Sequence, residues 1–228
     1  MDINQHIIQS IQAQANSLLH MAGQDRNDYQ GAVELIDGMS GKLIFTGMGK
    51  SGIIARKLAA TYSSTGIPSF FVHPGEAYHG DLGMIEASDV LFAISNSGHT
   101  PELLNLLQYS RTKHVIGLSQ SHDSALAQFS TVHLEFKVDK EICPLNLAPT
   151  TSTTAALVMG DAICAALMEL RKFSKDDFAK FHPGGTLGRS LLTKAKDLMI
   201  TQVPMVQPDD GLHEVLLRIS EGRLGLVA

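Results

Sequence analysis

Apolar residues recur at intervals of three and four near the start of the chain, at Ile3, Ile7, Ile8, Ile11, Ala15, Leu18 and Leu19. A second segment with this spacing runs over residues 29–39 and ends at Ser40 and Gly41. Such spacing places apolar side chains on one face of an α-helix. We therefore expect two helices before the first strand.

From Lys42 onward, short β-rich runs alternate with helical segments. The predicted strands are 43–46, 69–72, 90–94, 114–118 and 132–136, and the predicted helices are 50–64, 101–111 and 152–173. This alternation is typical of an α/β fold, a doubly wound parallel sheet flanked by helices on both faces. Because ligands collect at the carboxyl ends of such strands, we expect the chemistry in the loops after Thr46, Val72, Ile94 and Leu118.

The composition changes after Arg189. Residues 197–228 suggest a short helix, a strand at 204–206, a turn, a helix over 212–221 and the start of a new apolar run. About thirty residues bury too little apolar area to fold alone. We therefore expect residues 1–195 to form the main domain and residues 196–228 to be a linker and the incomplete start of a second module.

Composition narrows the class of protein. The chain has 228 residues, 44% of them hydrophobic and only 18% charged, against roughly 25% charged in an average soluble protein. A large share of its surface is therefore expected to be buried, which favours an oligomer. The net charge is −5, and no Lys/Arg cluster could neutralise several phosphates, so we expect no nucleic acid partner.

Three observations bear on the compartment. Cys143 and Cys164 are far apart and lack a second pair, which excludes a zinc knuckle or disulfide framework. Residues 1–23 lack a basic segment followed by an apolar core. The longest apolar stretch, 155–170, contains Asp161 and Glu169 and is short for a membrane span. We expect a cytoplasmic protein without membrane association, in which this stretch is a buried helix.

Residues 47–52, with sequence GMGKSG, follow a strand and open a helix, where a G-x-G-x-x-G phosphate loop belongs. A P-loop would need glycine where Ile44 stands. A dinucleotide site would need an acid at the tip of the second strand, and the nearest one is Glu76. Nucleotide binding is therefore weakly supported, and a plain glycine turn with a solvated Lys50 stays open.

A more specific segment lies directly after the third strand. It contains Ser95, Asn96, Ser97, Gly98, His99 and Thr100 and precedes a helix that Pro101 opens. Several hydroxyl and N–H groups thus converge on one helix N-terminus, which indicates a phosphate site that needs no metal. An ordinary N-cap needs only one hydroxyl. Glu102, in the first turn, is either an acid that complements the helix dipole or a catalytic base.

Residues 74–81 concentrate ionisable groups after the second strand. His73, His79 and Asp81 could be metal ligands, but no helical His pair and no cysteine support a metal site. His79 as a proton donor or a stabiliser of negative charge is favoured. A further glycine-rich turn, 182–188, carries His182.

Taken together, these segments resemble the SIS (sugar isomerase) domain and, within it, the arabinose 5-phosphate isomerases. The matching signatures are TGMGKSG (46–52), FFVHPGEAYHGDLGM (70–84), ISNSG (94–98), CPLNLAPTTSTTAALVMGDA (143–162) and HPGGTLGR (182–189). The resemblance covers about residues 1–195, with His99 where the family usually has Glu. Asp197 onward is similar to the start of a CBS domain, of which the family usually carries two complete copies.

The resemblance implies reversible isomerisation of D-ribulose 5-phosphate and D-arabinose 5-phosphate through an enediolate, which supplies a precursor for Kdo synthesis. It implies no cofactor, because electrons move only within the substrate. It assigns the substrate phosphate to Ser51, Ser95, Asn96, Ser97 and Thr100. It makes Glu102 the base and His182 the ring-opening acid or proton shuttle, with Lys50 and His79 around the sugar oxygens. It also implies a homotetramer in which a neighbouring subunit's histidine completes each site.

Two other functions stay open. The same fold serves in sensors that bind a sugar phosphate without turnover, and a sensor would keep the serine-rich segment while dispensing with base and acid. The presence of Glu102, His182, Lys50 and His79 together favours an enzyme. An isomerase of a hexose or heptose phosphate would keep all four.

Overall fold

Five short strands form one parallel sheet in the computed structural model, which describes residues 1–24 and 27–228 without the side chains of 186, 187 and 192. The strands are β1 (Leu43–Gly47), β2 (Ser69–Val72), β3 (Val90–Ile94), β4 (Val115–Ser119) and β5 (Val132–Glu135). Their order is β2-β1-β3-β4-β5, and every neighbouring pair is parallel. The predicted doubly wound sheet is thus confirmed, with its topological switch between β1 and β3.

Helices cover both faces of the sheet, as expected. Those of this part of the chain are α1 (Ile3–Ala22), α2 (Tyr29–Asp37), α3 (Gly49–Ser64), α4 (Pro74–Ala77), α5 (Pro101–Tyr109), α6 (Ala125–Phe129), α7 (Thr151–Leu170) and α8 (Lys175–Phe181). Phe45 belongs to the core shared with α2, α3 and α7, and Ile44 to the core shared with α5 and α6. Successive residues of one strand therefore serve opposite faces.

Three of these helices, α4, α6 and α8, have no counterpart in the prediction. α4 and α6 are too short to show helical periodicity, and side-chain caps mark their starts. His73 Nδ1 accepts the Gly75 N–H at 3.2 Å, and Ser124 Oγ accepts the Ala127 N–H at 3.2 Å. The cap role of His73 accounts for its position without any metal.

α7 is long and apolar enough to cross a membrane by length and mean hydropathy, the one such helix in the described part of the chain. In the fold it packs against α1, α2 and α3. Gly160 lies so close to α3 that a Cβ there would be 2.4 Å from a Leu58 methyl. Tyr62 donates a hydrogen bond of 2.9 Å to the Gly160 carbonyl. The predicted buried helix is therefore confirmed.

The chain divides into two units, residues 1–182 and 183–228. The second contains α9 (Thr186–Leu192), α10 (Ala195–Leu198) and α11 (Leu212–Gly222), of which α11 matches the predicted helix. The segment predicted as a strand at 204–206 forms no strand. Its backbone makes two hydrogen bonds, both with Ala228 and both of 3.0 Å, a contact too short for a ladder. The CBS assignment stays a prediction.

Candidate active site

The glycine loop, residues 47–52, brings α3 onto the sheet by close backbone packing. A Cβ on Gly52 would lie 2.5 Å from the Gly47 carbonyl oxygen, and one on Gly47 would lie 2.8 Å from that of Ile94. Only glycine tolerates these contacts. The loop therefore places the first turn of α3, with Lys50 and Ser51, at the carboxyl ends of β1 and β3.

The serine loop, residues 95–100, joins β3 to α5. Ser95, which is 3% exposed, accepts the Gly98 N–H at 3.0 Å and shares a hydrogen bond of 2.9 Å with the Thr100 hydroxyl. Ser97 is exposed, and its hydroxyl accepts the His99 N–H at 3.2 Å. Thr100 occupies the N-cap position of α5 but makes no side-chain cap bond. The hydroxyls order the loop instead of capping the helix, so the ordinary N-cap alternative does not describe it.

The two loops meet the start of α7 around a cavity of about 110 Å³. Its lining consists of Met48, Lys50, Ser51, Ile54, Asn96, Phe136, Pro149, Ser152, Thr153 and Ala156. Asn96 also lines a neighbouring cavity of about 190 Å³, and Gln120 holds its side-chain oxygen at 2.7 Å. Three of the predicted site residues, Lys50, Ser51 and Asn96, thus come together as expected from adjacent strand ends.

Glu141 is a carboxylate of this region that sequence reasoning missed. It lines the 190 Å³ cavity and accepts hydrogen bonds from the backbone and hydroxyl groups of Thr150 and Ser152, at the start of α7. Burial alone raises the pKa of Glu141, but these hydrogen bonds hold it below its ordinary value. Glu141 therefore stays ionised and caps α7. The local signal that could have identified Glu141 is its position two residues before the signature at 143–162.

Glu102 and His79 lie at the same edge of the sheet but outside the lining of the 110 Å³ cavity. Glu102 is exposed in the first turn of α5, and His79 is exposed just after α4. α4 and α5 pack side by side. Glu102 and His79 therefore lie on neighbouring segments at this edge of the sheet.

His182 lies apart from the other predicted residues. Its Nδ1 is 3.0 Å from the Phe178 carbonyl, and its ring stacks on that of Phe178 at 3.8 Å. The adjacent Phe181 packs at Gly66, just beyond the last residue of α3. α3 has 16 residues and is therefore roughly 24 Å long. His182 is thus near the opposite end of α3 from Lys50 of the same chain.

The chain is similar to known proteins of one family. The SIS domain model matches residues 39–166. The chain is 46% identical to arabinose 5-phosphate isomerase KdsD of Yersinia pestis over 229 aligned residues, covering 99% of this chain and 70% of that protein. It is 52% identical to KdsD of Escherichia coli K12 over 190 residues, covering 82% of this chain and 58% of that protein.

This chain also matches a solved structure over the whole length of the solved chain. It is an Escherichia coli CFT073 protein in complex with arabinose 5-phosphate, 41% identical, with a TM-score of 0.75 over 80% of this chain and 100% of that chain. Sheet order, loops and matches define an α/β protein of the SIS class. The chain belongs to the arabinose 5-phosphate isomerase family of SIS-domain proteins. It spans 58% to 70% of the length of the two curated relatives just described.

Proposed function

We propose that the chain interconverts D-arabinose 5-phosphate and D-ribulose 5-phosphate, and so supplies a precursor for Kdo synthesis. The observation that carries the proposal is the cavity where Lys50, Ser51 and Asn96 meet, in a chain 46% identical to a named arabinose 5-phosphate isomerase. Lys50, Ser51 and Asn96 bring polar groups to the cavity, which lies at the topological switch, where sheets of this kind bind ligands.

The substrate phosphate binds at the serine loop in this proposal. Ser97 and Thr100 have hydroxyls free of helix capping, and Asn96 and Ser51 face the cavity. Ser95 acts from within the loop, since its buried hydroxyl directs the Gly98 backbone. The N-termini of α3 and α5 both favour an anion here.

The reaction needs a base, a proton shuttle and a stabiliser of negative charge. Glu102 removes the C2 proton of the open-chain aldose. The electron pair of that C–H bond forms the C1–C2 double bond, and the carbonyl electron pair moves onto the C1 oxygen to give an enediolate. A proton passes from the C2 hydroxyl to the C1 oxygen, and the proton returned to C1 then leaves the C2 carbonyl of the ketose. Lys50 and His79 stabilise the oxygens while they carry negative charge, and His182 supplies the proton for ring opening.

His182 performs this role in the site of a neighbouring copy. It lies near the end of α3 opposite Lys50 of its own chain, and a helix of 16 residues is roughly 24 Å long, too far for one pentose phosphate to bridge. The proposal therefore includes a homotetramer with shared sites. Mixing Glu102→Gln with His182→Gln tests it, because mixed oligomers contain some sites with both residues intact. Recovered turnover supports sharing, and two variants that stay inactive when mixed contradict it.

Two further proposals accompany the function. The substrate is a phosphorylated metabolite, so we place the protein in the cytoplasm. Residues 196–228 belong to a CBS domain in this proposal. Neither affects the proton transfers.

The decisive experiment follows the C2 proton in D₂O by NMR. Pentose, hexose and heptose 5-, 6- and 7-phosphates are compared side by side with the purified chain. We expect exchange and conversion with D-arabinose 5-phosphate. Binding without exchange would indicate a sensor, and faster exchange with a longer sugar would indicate a different isomerase.

A further inference from the structure

A chain of four polar side chains lies behind the serine loop, and none of them has a role in the reaction proposed above. His122 Nδ1 and His133 Nδ1 are 2.9 Å apart, and His133 Nε2 is 2.8 Å from Ser119 Oγ. Ser119 Oγ is in turn 2.9 Å from Ser124 Oγ. We call these residues the histidine–serine chain. It begins at the end of β4 and crosses to β5.

The inner end of the histidine–serine chain touches the serine loop directly. A Cβ on Gly98 would lie 2.4 Å from Ser124 Cβ and 3.2 Å from Ser119 Cβ, so the two serines pack against this glycine. Gly98 has a φ of +68°, and α6 holds its carbonyl through the Leu126 N–H at 2.9 Å. The position of Ser124 therefore sets the position of Gly98, whose N–H closes the serine loop on Ser95.

Ser119 is the hub of this arrangement and is fully buried. Its hydroxyl has one hydrogen, yet it lies within hydrogen-bond distance of Ser124 Oγ, His133 Nε2 and the Ser121 carbonyl at 3.1 Å. A buried hydroxyl that loses a partner costs free energy unless its neighbours move. Removing the contact with His133 would therefore let Ser119 and Ser124 rearrange, and Gly98 with them.

We infer that His133 is a positioning residue for phosphate binding, acting on Gly98 of the serine loop through Ser119 and Ser124. The inference rests on the proposed function, in which the serine loop holds the substrate phosphate. The effect falls on binding of the phosphate, because the described hydrogen bonds of the His133 ring join it to Ser119 and His122 and not to the residues proposed to move protons.

Two substitutions of His133 separate positioning from packing. The amide of His133→Gln reaches the place of Nε2 and can restore the contact with Ser119. The amide of His133→Asn reaches only the place of Nδ1 and keeps the contact with His122. We expect His133→Asn to raise KM for D-arabinose 5-phosphate about fivefold to tenfold, with kcat within about twofold. His133→Gln should restore most of the affinity.

Ser119→Ala removes a single oxygen and carries the same expectation as His133→Asn, which keeps the test decisive should the latter fail to fold. His114→Gln, at an exposed histidine before β4, is the matched control and should leave KM unchanged. An unchanged KM in His133→Asn and Ser119→Ala, or equal impairment in His133→Gln and His133→Asn, would overturn the inference.

The two proposals fail in distinguishable ways. If the unmodified chain does not convert D-arabinose 5-phosphate, the proposed function is wrong. Calorimetric titration of the same variants with inorganic phosphate still tests the positioning role. If the unmodified chain is active and the histidine variants bind phosphate normally, only the positioning role is wrong.

Discussion

α3 and α5 begin side by side at the carboxyl edge of the sheet, and each carries one charged side chain in its first turn, Lys50 in α3 and Glu102 in α5. A helix N-terminus has partial positive charge, which favours an acid and disfavours a cation. Glu102 therefore suits its helix, whereas Lys50 opposes the dipole and forms no ion pair with the residues that the structure describes. A bound anion would offset the unfavourable position of the Lys50 charge at the start of α3.

The loops before these helices also differ in how they are held. Backbone contacts between glycines and β3 define the glycine loop. Side-chain hydrogen bonds of Ser95, Asn96 and Ser119 define the serine loop and its support. Substitutions in the serine loop should therefore change mainly the affinity for the substrate. Substitutions of Lys50 and Glu102 should change the free energy of unfolding in opposite directions.

The largest effect is expected at Glu102. Glu102→Gln keeps shape and helix position but removes the proton acceptor, so kcat should fall by roughly 10² to 10⁴ with KM nearly unchanged. The free energy of unfolding should decrease by at most about 1 kcal/mol, since a favourable dipole contact is lost. Steady-state kinetics and urea denaturation measure both. Glu86→Gln, at an exposed acid just before β3, is the control. Turnover of Glu102→Gln within about threefold of the parent would reject Glu102 as the base.

A smaller loss of activity and the opposite change in stability are expected at Lys50. Lys50→Gln should lower kcat by roughly 10² to 10³, because a positive group near the enediolate oxygens is lost. The free energy of unfolding should rise by up to about 1 kcal/mol, because the cation no longer opposes the α3 dipole. Lys175→Gln, at the exposed first residue of α8, should stabilise similarly without loss of activity. A Lys50→Gln protein that is less stable than the parent would show that the Lys50 charge does not destabilise α3.

Ser97→Ala should have a moderate effect confined to binding. The phosphate contact acts about equally on substrate and transition state. KM should therefore rise about fivefold, and kcat should fall by a smaller factor. Calorimetry with D-ribulose 5-phosphate gives the affinity directly. Ser64→Ala, at the far end of α3, provides the control. Unchanged affinity in Ser97→Ala would show that the serine loop does not hold the phosphate.

The smallest effect is a pH dependence of stability at the support of the serine loop. Burial, with a smaller contribution from His122, lowers the pKa of His133 to about 4 from an ordinary value of 6.5. The fold thus favours the neutral ring of His133. Its contribution to the free energy of unfolding is fully present above pH 6.5 and is lost as the pH falls toward the pKa of about 4 in the folded protein. The parent should lose more stability than His133→Gln between about pH 7 and about pH 5. Urea denaturation that gives the parent and His133→Gln the same loss of stability between the two pH values would contradict this prediction. The control His114→Gln should lose as much stability as the parent.

Much of the fold is predictable from the sequence because it depends on local patterns. β1, β3 and β4 are continuous apolar runs bounded by turn residues, and their predicted limits lie within about one residue of those observed. The periodicity of α3 and α7 is equally local. α4 and α6 escaped the prediction because a helix of four or five residues shows no period, and only a cap residue marks its start.

The five strands, the longer helices, the loops that carry polar residues and, through the signatures, the family all follow from the sequence. Which of those residues meet depends on the tertiary structure. Asn96 and Lys50 line one cavity because β1 and β3 are neighbours, whereas His182 lies at the other end of α3 despite its family signature. Glu141 and His133 became visible only through partners on other elements. The physical reason is that periodicity reflects contacts within one element, while a site depends on strand order and packing between elements.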